Sequence, residues 1–221
     1  MNSDSLVRLV ATVVVIVFAV GIWVTGGKPT LEWLHFFSAA VLISTAVLWL
    51  WETILWKLPM AQRLRPVPRD VSGTWKGTLE TFWKDPATGV TPAPKPAYLV
   101  VRQTASTVSV VLLTDESRSV SSLAAVSNQS DLGSLDYLYL NRPDSRFEDR
   151  SRIHHGSTTL DITGRPATRL RGHYWTDRDS KGQLDFAERT KRAADDFNQA
   201  SIFFNVPTAS RSRQPRPPKP R

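Results

Sequence analysis

Thr114, Ser119, Ser121, Tyr139, Asn141, His155, Tyr174, Thr176 and Arg178 are the residues of this chain best suited to recognition chemistry. They combine hydroxyls, a carboxamide, an imidazole and a guanidinium with phenol rings. Aromatic faces stack on planar bases, and an arginine pairs with phosphate oxygens through two parallel N–H groups. The set therefore suits a ligand that carries both bases and phosphates. Catalysis has less support. His154 and His155 are adjacent, so on an extended strand they face opposite ways and cannot ligate one metal together. Asp177 and Asp179 flank Arg178 and read as a solvated turn. The chain has no Gly-x-Ser-x-Gly, no Gly-rich phosphate loop and no cysteine, so the usual nucleophile and nucleotide-hydrolysis signatures are missing. No catalytic residue, metal or cofactor is expected.

These residues need a scaffold, and the pattern around them is β. Period-two and β-branched runs predict eight strands: Gly73–Trp83, Ala97–Gln103, Thr107–Thr114, Ser119–Val126, Leu135–Asn141, Thr158–Thr163, Leu170–Thr176 and Gly182–Phe186. Between them lie a Pro-rich loop from Asp85 to Pro96, a polar stretch from Asn128 to Gly133, a long loop opened by Arg142-Pro143, and the turns Gly164-Arg165-Pro166 and Asp177 to Lys181. Short strands at this spacing predict an eight-stranded antiparallel up-and-down barrel, just wide enough for side chains or one small ligand. Alternation puts Trp75, Gly77 and Leu79 inward, with Leu170, Gly172, Tyr174 and Thr176 on one face and the tyrosines of the fifth strand inward. Ala187 to Gln199 has the composition of a short terminal helix.

Up-and-down topology sorts the strand ends onto two rims. One rim collects Trp75, Gln103, the Thr104–Ser106 turn and the Gly164-Arg165-Pro166 turn, and reads as plugged. The other collects Phe82, Trp83, Tyr98 and Arg142 with the recognition residues, and reads as open, polar and aromatic. A barrel of this kind serves three function classes: a receptor for a base-and-phosphate ligand, a lipocalin-like carrier of a small apolar ligand, or a structural adaptor with a filled core. The polar rim favours the first.

Ahead of the barrel lie two uncharged apolar runs, Leu9 to Gly27 and Leu34 to Trp51. Each approaches the length of a bilayer core when helical, and tryptophans Trp23, Trp33, Trp49, Trp51 and Trp56 stand near their ends. Lys57, Arg63, Arg65 and Arg69 follow the second run, against a lone Lys28 between the two. The positive-inside rule then predicts a transmembrane hairpin with both termini and the barrel in the cytoplasm. Gly21, Ser38, Ala39, Ala40, Ser44 and Ala46 offer small surfaces for close helix contact. The expected organisation is a hairpin over 1–58, a basic linker over 59–70, a barrel over 71–190 and a disordered Pro/Arg-rich tail over 191–221. The net charge of +8 is concentrated in that tail and linker, so no DNA or RNA polymer is expected as partner.

Several runs occur in a specific order. They are Gly73-Thr74-Trp75-Lys76-Gly77-Thr78-Leu79, Val101-x-Gln103-Thr104, Thr114-x-x-Ser117-x-Ser119-x-Ser121, Leu135-x-Tyr137-x-Tyr139-x-Asn141-x-Pro143, His155-Gly156, and Leu170-x-Gly172-x-Tyr174-Trp175-Thr176-x-Arg178-x-x-x-Gly182. Over Leu6 to Phe186 the chain resembles the two-transmembrane, β-strand-rich, SMODS-associating effectors of bacterial CBASS antiphage immunity. The resemblance implies a non-enzymatic effector of the inner membrane, functionally linked to a cyclic-nucleotide synthase. A cyclic dinucleotide would be its activating ligand. Ligand binding would drive homo-oligomerisation, membrane disruption and abortive infection. The site residues rest on the rim geometry, not on the resemblance.

Overall fold

The structure is a computed structural model. It describes residues 3–26, 33–86, 88–128, 133–147 and 151–205, with side chains from residue 11 of the first helix and residue 38 of the second. Helices α1 (Ser3–Thr25) and α2 (Trp33–Thr53) form over the two apolar runs. Gly21, Ala40 and Ser44 are buried where α1 and α2 meet, so these small residues serve contact within the hairpin. The other faces of the hairpin are apolar and exposed, with Trp23 84%, Leu42 72% and Val15 64% accessible. Among the described residues no helix is long and apolar enough to cross a membrane.

Eight strands close into an antiparallel barrel in sequence order. They are β1 (Gly73–Thr81), β2 (Lys95–Gln103), β3 (Val108–Leu113), β4 (Ser117–Ser127), β5 (Gly133–Pro143), β6 (His154–Thr163), β7 (Arg169–Thr176) and β8 (Lys181–Thr190). The number and order match expectation. The core fills the interior with Trp75, Leu99, Leu135, Leu160, Ile162, Leu170, Leu184 and Phe186, all fully buried. Each stands at alternate positions of its strand, as a one-sided interior requires.

Two irregularities reset that alternation. In β4 an extra residue, Ser122, lies between the Ser121–Tyr139 and Leu123–Leu138 pairs. Before the bulge the odd positions Ser119 and Ser121 face inward, and after it Ala124 and Val126 do. In β8 Ala187 is the extra residue opposite Lys76 and Gly77. It lets Phe186 face the core and still brings Arg189 over the Trp75 ring, 5.1 Å from its centroid.

The segment after β8 differs from expectation. It leads to α4 (Phe197–Asn205), which lies later than the helix predicted from composition. The helix covers the outer face of β2 and β3, where Tyr98, Val100, Val111 and Leu113 are buried with Ala200. Tyr98 stacks on Phe204 and meets Phe197 edge-on. It belongs to this outer layer, not to the open rim. Residues 191–205 are therefore part of the folded unit. The rest of the tail for which disorder was expected, residues 206–221, lies outside the described residues.

Candidate functional site: the two ends of the barrel

The closed end is built from the chain that enters the barrel. Trp75 donates its indole N–H to the Val71 carbonyl, 2.9 Å away, inside the core. Arg189 donates to the Asp70 and Ser72 carbonyls and pairs with the Asp70 carboxylate at 3.0 Å. The Gln103 carboxamide accepts from Val71 N–H and donates to the Arg69 carbonyl. Gln62 does the same for Asp70 N–H and the Trp56 and Pro68 carbonyls. Arg69 reaches across to the Ile162 carbonyl at 2.7 Å. The predicted linker is thus a folded plug, with the short helix α3 (Pro59–Gln62) inside it.

The plug also ties α2 to the barrel. Glu52, in the last turn of α2, accepts from both the backbone N–H and the hydroxyl of Ser106 in the β2–β3 turn. Its carbonyl accepts from Ala105 N–H at 3.2 Å. Trp56 is fully buried with Val67 and Ala105, so it packs this joint instead of facing outward.

At the open end the side chains divide into two walls. The wall from β8 through β1 to β3 is apolar, with Leu184, Leu79, Ala97 and Leu112. The wall of β4 to β7 is polar and aromatic. Ser119 and Asn141 are paired across β4 and β5, and the Ser119 hydroxyl donates to Asn141 Oδ1 at 2.8 Å, both residues being buried. Ser121, one layer deeper, accepts from Val110 N–H at 2.9 Å. Tyr139 and Tyr174 are 5% and 8% exposed and close the space between the walls.

Two glycines explain how those rings sit. Gly156 is the strand partner of Tyr139, and Gly182 that of Tyr174. A Cβ built on Gly156 would lie 2.3 Å from Tyr139 Cζ, and one on Gly182 2.6 Å from Tyr174 Cε1. Each ring therefore lies on bare backbone where any other residue would displace it. Burial pushes the phenols of Tyr137, Tyr139 and Tyr174 above their ordinary ionisation range. They remain neutral hydrogen-bonding groups and present no negative charge to an anionic ligand.

The remaining predicted residues divide. Thr114 and Thr176 lie at the rim but are engaged in turns. Thr114 shares a hydrogen bond with the Ser117 hydroxyl and accepts from Ser117 N–H. Thr176 does the same with Ser180. Arg178 is exposed above the mouth, and its guanidinium lies 3.4 Å from the Arg152 carbonyl and the Ser151 hydroxyl. His155 is not brought to the site. It pairs with Leu140 on the outer face and is exposed. The expected strand began at Thr158, whereas β6 begins at His154, and that difference hid which histidine faces in.

His154 is the inward one, opposite buried Asn141. Burial pushes its imidazole below the ordinary histidine range. Its Nδ1 lies 2.9 Å from the Arg152 carbonyl, which only accepts, so Nδ1 carries the proton and Nε2 is left as an acceptor. The sequence placed Tyr137 inward, as the structure has it, but neither it nor Thr158 was counted among the recognition residues. Running the alternation back along β6 would have found both His154 and Thr158. Among the described residues no three His, Cys, Asp or Glu converge as a metal cage would need.

A closed barrel with a plugged base and a mouth lined by hydroxyls, a carboxamide and aromatic rings is a small-molecule receptor in form. Comparison with known proteins agrees. Residues 66–188 match the model of the Cap15 cyclic dinucleotide receptor domain. The chain is 30% identical over 181 residues to CD-NTase-associated protein 15 of Staphylococcus schleiferi, covering 82% of this chain and 94% of that one. The chain belongs to the Cap15 family.

Proposed function

We propose that this chain is a membrane-anchored effector of CBASS antiphage defence, whose barrel binds a cyclic dinucleotide at its open end. The observation that carries the reading is the two-walled mouth. Asn141, Ser119, Tyr139, Tyr174 and the inward His154 line one side, with Arg178 above, inside a domain of the Cap15 receptor family. Neutral hydroxyl and amide groups suit base edges, rings suit base faces, and Arg178 suits a phosphate. Binding would favour an assembled state of the chain, and assembly would disrupt the inner membrane and abort infection. A ligand shifts such an equilibrium only by binding the assembled state better.

The anchor is the α1–α2 hairpin. Its support is the uncharged sequence of both runs and the exposed apolar surface around Val15, Leu42 and Trp23, of a kind that soluble monomers avoid. The basic residues after α2 support a cytoplasmic barrel. Calorimetric titration of the full chain in detergent with cyclic dinucleotides and with fatty acids tests the reading. Tight binding of a cyclic dinucleotide, followed by growth of the particle in a bilayer mimic and leakage of loaded liposomes, is the expected result. Binding of fatty acids alone would replace it with a carrier. Binding without any change in particle size would leave a receptor that is not an effector of this kind.

A further inference from the structure

One pair of groups beneath the mouth has no structural employment. Tyr137 and Thr158 are strand partners on β5 and β6, with Tyr174 next to Thr158 on β7. Both are fully buried, 3% and 1% exposed. Tyr137 Oη and Thr158 Oγ1 have no hydrogen-bond partner among the described residues. They face each other across the strand pair, close enough for the threonine hydroxyl to oppose the effect of burial on the phenol, and neither bonds to any other group among the described residues. The smaller hydroxyls of this wall are engaged elsewhere: Ser119 with Asn141, Ser121 with Val110, Thr176 with Ser180. Phenylalanine and valine would fill the same space without two unpaired hydroxyls.

Their position gives the pair a use. β5 runs from the closed end to the open end, so Tyr137 lies one layer below Tyr139, with ring centroids 5.9 Å apart. Thr158 lies one layer below Gly156. Above them are the two rings that close the mouth, each resting on a glycine and not locked by a side chain there. A flat group that displaces the Tyr139 and Tyr174 rings reaches this floor first. A hydroxyl both donates and accepts, so two of them side by side match a planar heteroaromatic edge with a donor next to an acceptor.

We propose that Tyr137 Oη and Thr158 Oγ1 form a buried floor that reads the hydrogen-bonding edge of one nucleobase of the ligand. The inference rests on the cyclic dinucleotide reading and sets which bases that site accepts. A site built to bond a polar edge rejects ligands that leave its groups unpaired.

The test uses the full chain in detergent with Tyr137→Phe and Thr158→Val. Thermal melts are combined with titrations against cyclic dinucleotides that differ only in their bases. Each variant should melt at or above the wild-type temperature, because no protein hydrogen bond is lost. The ligand preferred by wild type should bind about tenfold more weakly, and the preference among bases should flatten. Thr158→Ser keeps the hydroxyl and should restore the preference; it also carries the test if Thr158→Val does not fold. Unchanged affinity and preference in folded variants, while wild type binds, would overturn the floor and leave the proposed function standing. A wild type that binds no cyclic dinucleotide would overturn both.

Discussion

The two ends of this barrel solve opposite problems with similar residues. At the closed end Gln62, Gln103, Asp70 and Arg189 are turned inward and bonded to backbone groups of the entering chain. The polar groups there are consumed in fixing one geometry. At the open end the polar groups bond in pairs across strands or within turns, and two deep hydroxyls find no protein partner. An unpaired buried hydroxyl costs on the order of 1–3 kcal/mol, so the open end is stable in spite of its chemistry and the closed end partly because of it. A residue's type does not tell structure from recognition here. What tells them apart is whether its bonding capacity is spent.

That contrast can be broken most sharply at Trp75. It is fully buried, bonded to Val71 and covered by Arg189. Trp75→Ala should lower stability by about 3–5 kcal/mol, read as a fall in the denaturation midpoint, with ligand affinity of the folded fraction unchanged. Loss of binding at wild-type stability would exchange the roles assigned to the two ends.

Alkaline pH should strike the other end. Tyr137 and Tyr139 are held neutral by burial, while tyrosine in the unfolded chain ionises near pH 10. Below that pH their contribution is fully present. Above it the unfolded state has lost protons that the folded state keeps, so stability falls as pH rises. The slope is about 1.4 kcal/mol per pH unit for each of the two, or roughly 3 kcal/mol one unit above pH 10. Denaturation midpoints measured across that range, with tyrosinate absorbance appearing only on unfolding, check the sign. Tyrosinate absorbance in the folded protein near pH 10 would show the mouth to be wet.

Arg178 should affect binding without affecting the fold. It is exposed, with long contacts to Arg152 and Ser151. Arg178→Ala should leave the melting temperature unchanged and weaken a phosphate-bearing ligand by about 1.5–3 kcal/mol, with a shallower salt dependence of affinity. The smallest effect belongs to Glu52. Glu52→Gln weakens the acceptor for Ser106 and should cost at most about 1 kcal/mol. Faster hydrogen exchange at the Ala105 and Ser106 amides, with unchanged ligand affinity, is the expected signature.

The number and order of strands were legible because turn residues punctuate each β-branched run. The facing of β1, β5 and β7 followed from strict alternation. What was not legible has identifiable causes. The bulge at Ser122 shifts the phase within β4, and no residue type marks it. β6 begins with His154, His155 and Gly156, residues of weak strand propensity, so its start was placed too late and the wrong histidine was assigned to the mouth. Tyr98 looked like a rim residue because one-sided burial was assumed for every strand. Yet the unbroken apolar runs Tyr98 to Val101 and Val110 to Leu113 are what a strand buried on both faces requires, and they announce the cover that α4 provides. The plug was read as a basic linker because Arg69 was counted as charge, whereas its guanidinium serves a backbone carbonyl.

The joint at Glu52 and Trp56 changes what kind of connector joins helix to barrel. Twelve residues, 59–70, would give a free tether a reach of roughly 40 Å, enough for the barrel to tumble and search. Here that length is folded into contacts of Arg69 with Gln103, of Gln62 with Arg165 and of Val67 with Ala105 in the β2–β3 turn. While these contacts hold, turning the barrel about its own axis turns α2 through the same angle. Neighbouring barrels in any ring or row would then fix the spacing and rotational phase of their helices, as gear teeth on a common shaft keep their phase.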